Sequence, residues 1–281
     1  MSTPELAVTT LQSPAEPSRR AVLMPGLGTE ADSVWHPLSG ELDPSWHVVA
    51  LDLPGHGASR AWVPQQDEAA PSMESLAQGV LDAVCRDEAA HSSGPSEEAF
   101  RELPLHFAGI SISGALALQL AADHPERFTS VANLCSLARI GEQETWAGRA
   151  RTVHQEGTAA MVEGNRARWF APGFAEREPE TVERTMAGLM KADDLSYATL
   201  CHVLGTFDLR TRLSEIALPV LAVAAEHDVV AEPAAVGELA EQIPGGRQIL
   251  VEGVSHQAAV EKPEQIADIL NDFFGGSGVP G

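Results

Sequence analysis

A serine, an aspartate and a histidine stand along this chain in the order, and in the local settings, that nucleophilic acyl transfer needs. The first lies in Gly109-Ile110-Ser111-Ile112-Ser113-Gly114, directly after the apolar run Leu105-His106-Phe107-Ala108-Gly109. Such a string predicts a strand that turns sharply into a helix with Ser111 at the apex. A turn of this kind strains the apex backbone and brings strand and helix close, so the flanking positions must be small; Gly109 and Ser113 are. It also sets the next amide, that of Ile112, at a helix start, where it can stabilise a negative oxygen.

The acid and the base follow in the order Ser, acid, His. Val220 to Ala224 predicts a short buried strand, with Ala225-Glu226-His227-Asp228 after it and Asp228 in the loop. Gln248 to Val251 predicts another, followed by Glu252-Gly253-Val254-Ser255-His256. His256 would take the Ser111 proton and later return one to the leaving oxygen, while Asp228 fixes its tautomer and supports the imidazolium. Two readings compete. Ser113 could be the nucleophile in a shifted register, although it would then lie inside the helix and point sideways. Glu226 could be the acid, being nearer the strand. The oxyanion hole is expected from the backbone N–H groups of Ile112 and of Leu27, in the loop Pro25-Gly26-Leu27-Gly28. His56, in Gly55-His56-Gly57, reads as part of a structural turn beside the site.

Catalytic types at the ends of three strands require a sheet that presents its loops at one edge. Strands are expected at Leu6–Leu11, Arg20–Met24, Trp46–Leu51, Leu105–Gly109, Ser130–Leu134, Val220–Ala224 and Gln248–Val251. Helices are expected at Met73–Arg86, Gly114–His124 and Pro263–Phe274, with a tail from Gly275. The polar, acidic stretch Asp87–Glu102, centred on Ser92-Ser93-Gly94-Pro95, reads as an exposed loop or short excursion. From 141 to 209 the pattern is helical and no strand interrupts it. The alternation therefore implies an α/β fold, a mostly parallel sheet with helices on both faces. Residues 1–140 and 210–281 would form its core and 141–209 a helical cap over the strand ends.

With 281 residues the chain can bury one sizeable core. A formal net charge of −22 argues against nucleic acid and anionic membranes as partners, and makes local cations necessary if the substrate is an anion. Cys85, Cys135 and Cys201 are scattered without metal-ligand spacing, and the chemistry calls for neither metal nor cofactor. No apolar stretch reaches the length of a membrane span, and Met1–Arg20 lacks a signal-like apolar segment, so a cytoplasmic location is expected. The oligomeric state is not readable.

These residues resemble the α/β-hydrolase superfamily across nearly the whole chain. The cap stretch is similar to the 3-oxoadipate enol-lactonase family, in Leu137-Ala138-Arg139-Ile140-Gly141 with Glu144-Thr145-Trp146, in Arg168-Trp169-Phe170-Ala171-Pro172-Gly173-Phe174, and in Tyr197–Cys201 leading to Asp208-Leu209-Arg210. Two departures stand out. The family usually has Gly-Gly after the Ser-x pair, here Ser113-Gly114, and commonly has Asn-Ser-Leu-Gly where this chain has Pro25-Gly26-Leu27-Gly28. The resemblance implies a serine hydrolase that opens a small carboxylated enol-lactone. Arg139 would then meet the free carboxylate, with a surface ion pair as its alternative role. Trp146 and Trp169 would line the substrate site or fill the cap core. Other readings are a different carboxylesterase, lactonase or perhydrolase with the same residues, and a ligand-binding receptor on the same fold.

Overall fold

The computed structural model describes residues 3–63, 69–91 and 96–276. The centre of the acidic stretch, 92–95, and the tail residues 277–281 lie outside them. Seven strands form one sheet: β1 (Val8–Gln12), β2 (Arg19–Met24), β3 (Trp46–Leu51), β4 (Leu105–Ile110), β5 (Ser130–Leu134), β6 (Val220–Ala225) and β7 (Gly246–Val251). Their spatial order is β1-β3-β2-β4-β5-β6-β7. Only β1 runs antiparallel, against β3; the other pairs are parallel. Every residue of β3, β4, β5 and β6 is buried, as strands covered on both faces must be. The outermost strands β1 and β7 are partly exposed.

The helices outside the cap are α1 (Ala31–Ser39), α2 (Met73–Ala90), α3 (Ser96–Glu102) and α4 (Ile112–Asp123). After the cap come α10 (Pro233–Glu241), α11 (Ala258–Glu261) and α12 (Pro263–Phe274). Helix α12 starts on Pro263, whose missing N–H costs nothing at a first helical position, and buries Ile266, Ala267, Leu270 and Phe274. Between β5 and β6 the chain is helical: α5 (Gln143–Glu156), α6 (Val162–Trp169), α7 (Phe174–Arg177), α8 (Pro179–Lys191) and α9 (Asp194–Thr206).

The structure corrects one stretch. Asp87 and Glu88 are not in an exposed loop: α2 continues through them to Ala90 and both are buried. Glu88 holds Arg20 at 2.7 Å, and Asp87 holds His47 at 3.0 Å. Buried charges of this kind persist because they are paired. Residues 96–102 form α3, which buries Phe100.

Candidate active site

Ser111 sits between β4 and α4 with φ 57°, in a region that L residues other than glycine seldom adopt. The surroundings hold it there. Its N–H donates to the Leu134 carbonyl at 2.9 Å, and its carbonyl accepts from Ser136 Oγ at 2.6 Å. A Cβ on Gly109 would fall 2.1 Å from the Ser113 carbonyl oxygen, so no larger residue fits beneath the turn. Strain at one residue is thus offset by contacts from its neighbours, and the hydroxyl is left clear. Ser113 is in the first turn of α4, fully buried, and its hydroxyl donates to the Pro25 carbonyl at 2.6 Å. That hydroxyl is spent on the loop and is not presented to the cavity.

His256 Nδ1 lies 2.8 Å from Asp228 Oδ2, both side chains buried. The other carboxylate oxygen of Asp228 accepts from the N–H groups of Val230, at 2.7 Å, and Ala231, at 3.2 Å. Asp228 is thereby aimed, and the bond to Nδ1 leaves His256 Nε2 as the ring nitrogen free to exchange a proton. Glu226 points elsewhere: it is half exposed and accepts from the Gly253 N–H at 2.7 Å.

The loop carrying Leu27 is held from three sides. Ser113 takes the Pro25 carbonyl, and Gly26 packs against Ser111, where an added Cβ would stand 3.4 Å from the serine Cβ. The Gly28 N–H donates to His56 Nε2 at 3.0 Å. His56 is fully buried and donates its Nδ1–H to the Pro54 carbonyl at 2.9 Å. Burial lowers its pKa to about 4, so it stays neutral and Nε2 remains an acceptor. Gly28 itself has φ +86°, and a side chain there would collide with Leu189 at 2.7 Å. The backbone N–H groups of Leu27 and Ile112 are therefore carried by firmly held segments, as preorganised stabilisation of an oxyanion demands.

Ser111, His256, Gly26 and Leu27 line a cavity of about 280 Å³, closed on the cap side by Trp146, Arg149, Asn165, Arg168 and Trp169. Arg139 does not line it. That guanidinium is paired with Glu142 three residues on, partly exposed at the cap's edge, which is the surface-pair alternative and not the position of a buried substrate partner. The cations of the cavity are Arg149 and Arg168. Arg149 donates to Tyr197 Oη and, at 2.7 Å, to Asn165 Oδ1; Arg168 donates to the same Oδ1 at 3.1 Å. Among the described residues no carboxylate pairs with either, whereas Arg139, Arg151, Arg166 and Arg210 each have one. Burial, and then the nearby Arg149, lower the pKa of Arg168. Because two guanidiniums can only donate, Asn165 must present its oxygen to them, and its buried NH₂ is left toward the Tyr197 hydroxyl, short of a well-formed hydrogen bond. Trp146 lies beneath Arg149, 5.6 Å from ring centroid to guanidinium carbon, and its indole N–H donates to the Ile140 carbonyl.

A clasp that sequence reasoning missed joins this cap wall to the His256 loop. Glu261 accepts from the N–H of Ser255 at 2.6 Å and of Ala171 at 2.9 Å. Ser255 Oγ donates to the Arg168 carbonyl, and the Gln257 N–H to that of Trp169. Burial raises the Glu261 pKa. Nothing in a lone glutamate at a helix end announces this role.

A strained serine hydroxyl, an aimed imidazole and two firmly held amides around one small cavity, set at the carboxyl ends of a mostly parallel sheet, define a hydrolase of the α/β class. Residues 21–269 match the alpha/beta hydrolase family, and the chain belongs to it. It is similar to 3-oxoadipate enol-lactonase 2 of Acinetobacter baylyi, 31% identical over 238 residues, which are 85% of this chain and 82% of that protein. It is also similar to 3-oxoadipate enol-lactonase 1 of the same organism, at 29% over 247 residues, 88% and 85% of the two chains. The crystal structure of the enol-lactonase from Burkholderia xenovorans matches with a TM-score of 0.85 at 28% identity, over 96% of each chain.

Proposed function

We propose that this protein is a serine hydrolase that opens 3-oxoadipate enol-lactone, or a closely similar carboxylated enol-lactone, to the free acid. The observation that carries the reading is the pair Arg149 and Arg168, two guanidiniums without a carboxylate partner among the described residues, in the cavity that holds Ser111 and His256. Such a pair holds its charge at a cost that an anionic ligand offsets. The similarity to enol-lactonases supports the same substrate class.

The chemistry runs in two halves. Ser111 Oγ attacks the lactone carbonyl as His256 takes its proton, and the carbonyl oxygen becomes an oxyanion facing the N–H groups of Leu27 and Ile112. The ring C–O bond at the carbonyl breaks; the enolate oxygen takes the proton that His256 holds, and the enol tautomerises to the ketone, still tethered as the acyl group of Ser111. Water, deprotonated by His256, then attacks the ester and frees Ser111. Asp228 steadies the imidazolium in both halves. The carboxylate lies against Arg149 and Arg168.

The test is the decay of the enol-lactone's ultraviolet absorbance, measured beside p-nitrophenyl acetate hydrolysis. Rapid loss of the lactone, abolished in Ser111→Ala, is expected. Ester turnover with an untouched lactone would make the protein a different esterase or lactonase. Turnover of neither would favour a ligand-binding role on this fold.

A further inference from the structure

A second cluster of chemistry-bearing side chains lies at the opposite edge of the sheet. The catalytic loops follow the carboxyl ends of the parallel strands, whereas His47 is the second residue of β3 and so sits near its amino end. Asp87 is in the last turn of α2, and His91 is the residue that follows the helix, four positions later on the same face. His47 Nε2 is 3.0 Å from Asp87 Oδ2, and His91 Nδ1 is 3.7 Å from Asp87 Oδ1. One ligand atom from each of the three lies within 4.8 Å of the others.

We propose that His47, Asp87 and His91 form a binding site for a divalent transition ion of the Zn²⁺ type. Two imidazoles and a carboxylate are a donor set that suits Zn²⁺ or Co²⁺ and not the all-oxygen preference of Mg²⁺ or Ca²⁺. The spacing fits as well. Tetrahedral ligands held at 2.0–2.2 Å from an ion stand roughly 3.3–3.6 Å apart, so the 3.0 Å between His47 Nε2 and Asp87 Oδ2 needs a shift of only a few tenths of an ångström, and one ligand atom of His91 lies within 4.8 Å of both.

The outer contacts are those that ligating histidines use. His47 Nδ1 faces Ser13 Oγ at 3.1 Å, so the ring proton can move to Nδ1, donate to that hydroxyl, and leave the Nε2 lone pair for the ion. His91 Nδ1 donates to the Asp87 carbonyl at 2.8 Å, which fixes a tautomer whose Nε2 carries a free lone pair. Phe100 stacks on the His91 ring at 4.6 Å and meets the His47 ring edge-on at 5.1 Å, so both imidazoles are sterically held. A guanidinium beside the cluster that would oppose a cation, that of Arg20 over Phe100, has its charge taken up by Glu88 at 2.7 Å. Access exists: His91 is about a third exposed and lines a cavity of about 300 Å³ with Ser13, Glu16 and Phe100. The three protein ligands leave a fourth position to water, and the net charge of −22 favours a cation anywhere on this molecule.

The experiment is equilibrium dialysis of the full chain against Co²⁺, with the visible absorption of the bound ion read alongside. One tightly bound Co²⁺ per chain with the intense spectrum of a low-coordinate N/O site is expected, displaced by Zn²⁺. His91→Ala should weaken binding at least tenfold while fluorophosphonate labelling of Ser111 stays at the wild-type level, which also verifies that the variant folds. In the wild-type chain, Zn²⁺ should perturb the imidazole NMR signals of two histidines and leave the other eight unmoved. Absence of stoichiometric binding would overturn the proposal. So would binding that survives both His91→Ala and Asp87→Asn, since it would then belong to other histidines.

Discussion

The Ser113 hydroxyl donates to the Pro25 carbonyl at 2.6 Å, and these two residues mark the chain's two departures from the usual enol-lactonase strings. The bond ties the first turn of α4 to the loop that carries Leu27. Ser111→Ala is therefore expected to abolish fluorophosphonate labelling and to lower turnover by roughly 10⁴-fold or more. Ser113→Ala should keep the label and lose only several-fold in kcat, since one hydrogen bond is worth about 1 kcal/mol. Label that follows Ser113 instead would move the nucleophile.

Asp228→Asn should fold normally, because the new amide oxygen can still accept from Val230 and Ala231. Its NH₂ would then face His256 Nδ1 and force the wrong tautomer, so kcat should fall by about 10³–10⁴-fold. Glu226→Gln should change kcat by less than a few-fold, as Glu226 serves the Gly253 turn. Steady-state kinetics on both variants decide the matter; greater damage in Glu226→Gln would reassign the acid.

Arg168→Ala should lower kcat/KM for the carboxylated lactone by about 10–100-fold, the value of a partly buried charge-assisted pair, and leave p-nitrophenyl acetate almost unaffected. Arg149→Ala should act in the same direction with some loss on both substrates, because it also braces Tyr197 and Asn165. Arg139→Ala should leave the ratio of the two substrates unchanged. Equal losses on both substrates in Arg168→Ala would remove the carboxylate role from this pair.

His56 has a pKa of about 4 in the folded chain against an ordinary value of 6.5. The unfolded chain therefore binds the extra proton first as pH falls, and the stability that His56 contributes is lost between about pH 6.5 and 4. His56→Gln should be less stable at pH 7, yet its thermal midpoint should decline less steeply than that of the wild type across this window. Parallel curves for the two proteins would sink the assignment. His106, also lowered to about 4 by burial, should add to the decline in both.

What could be read from the sequence was whatever short-range pattern controls. Buried strands show as apolar runs, and the Ser111 turn as small residues at fixed offsets, because backbone sterics act over a few residues. The cap was legible as helical, but its chemistry was not. Arg149, Asn165, Arg168 and Tyr197 come from three helices and meet only through packing, so no spacing in the chain announces them. Arg139 drew attention by its position and by the Ala138-Arg139-Ile140-Gly141 string that resembles the enol-lactonases, while Glu142, three residues on, was the local sign of its actual partner. The misreading of Asp87–Glu102 has the same root: charged residues look exposed until Arg20 and His47 arrive from the sheet to pair with them.

Glu261 grips the catalytic loop at Ser255 and the cap at Ala171 with one carboxylate. In engineering terms, the cap is not a cartridge that can be exchanged by cutting at 141 and 209 alone. A donor cap whose backbone places no N–H where that of Ala171 lies would strand a partly buried carboxylate oxygen and loosen the segment that holds His256. Specificity grafts onto this scaffold should therefore carry the stretch 168–171 and the stretch 255–261 together, as one inherited unit.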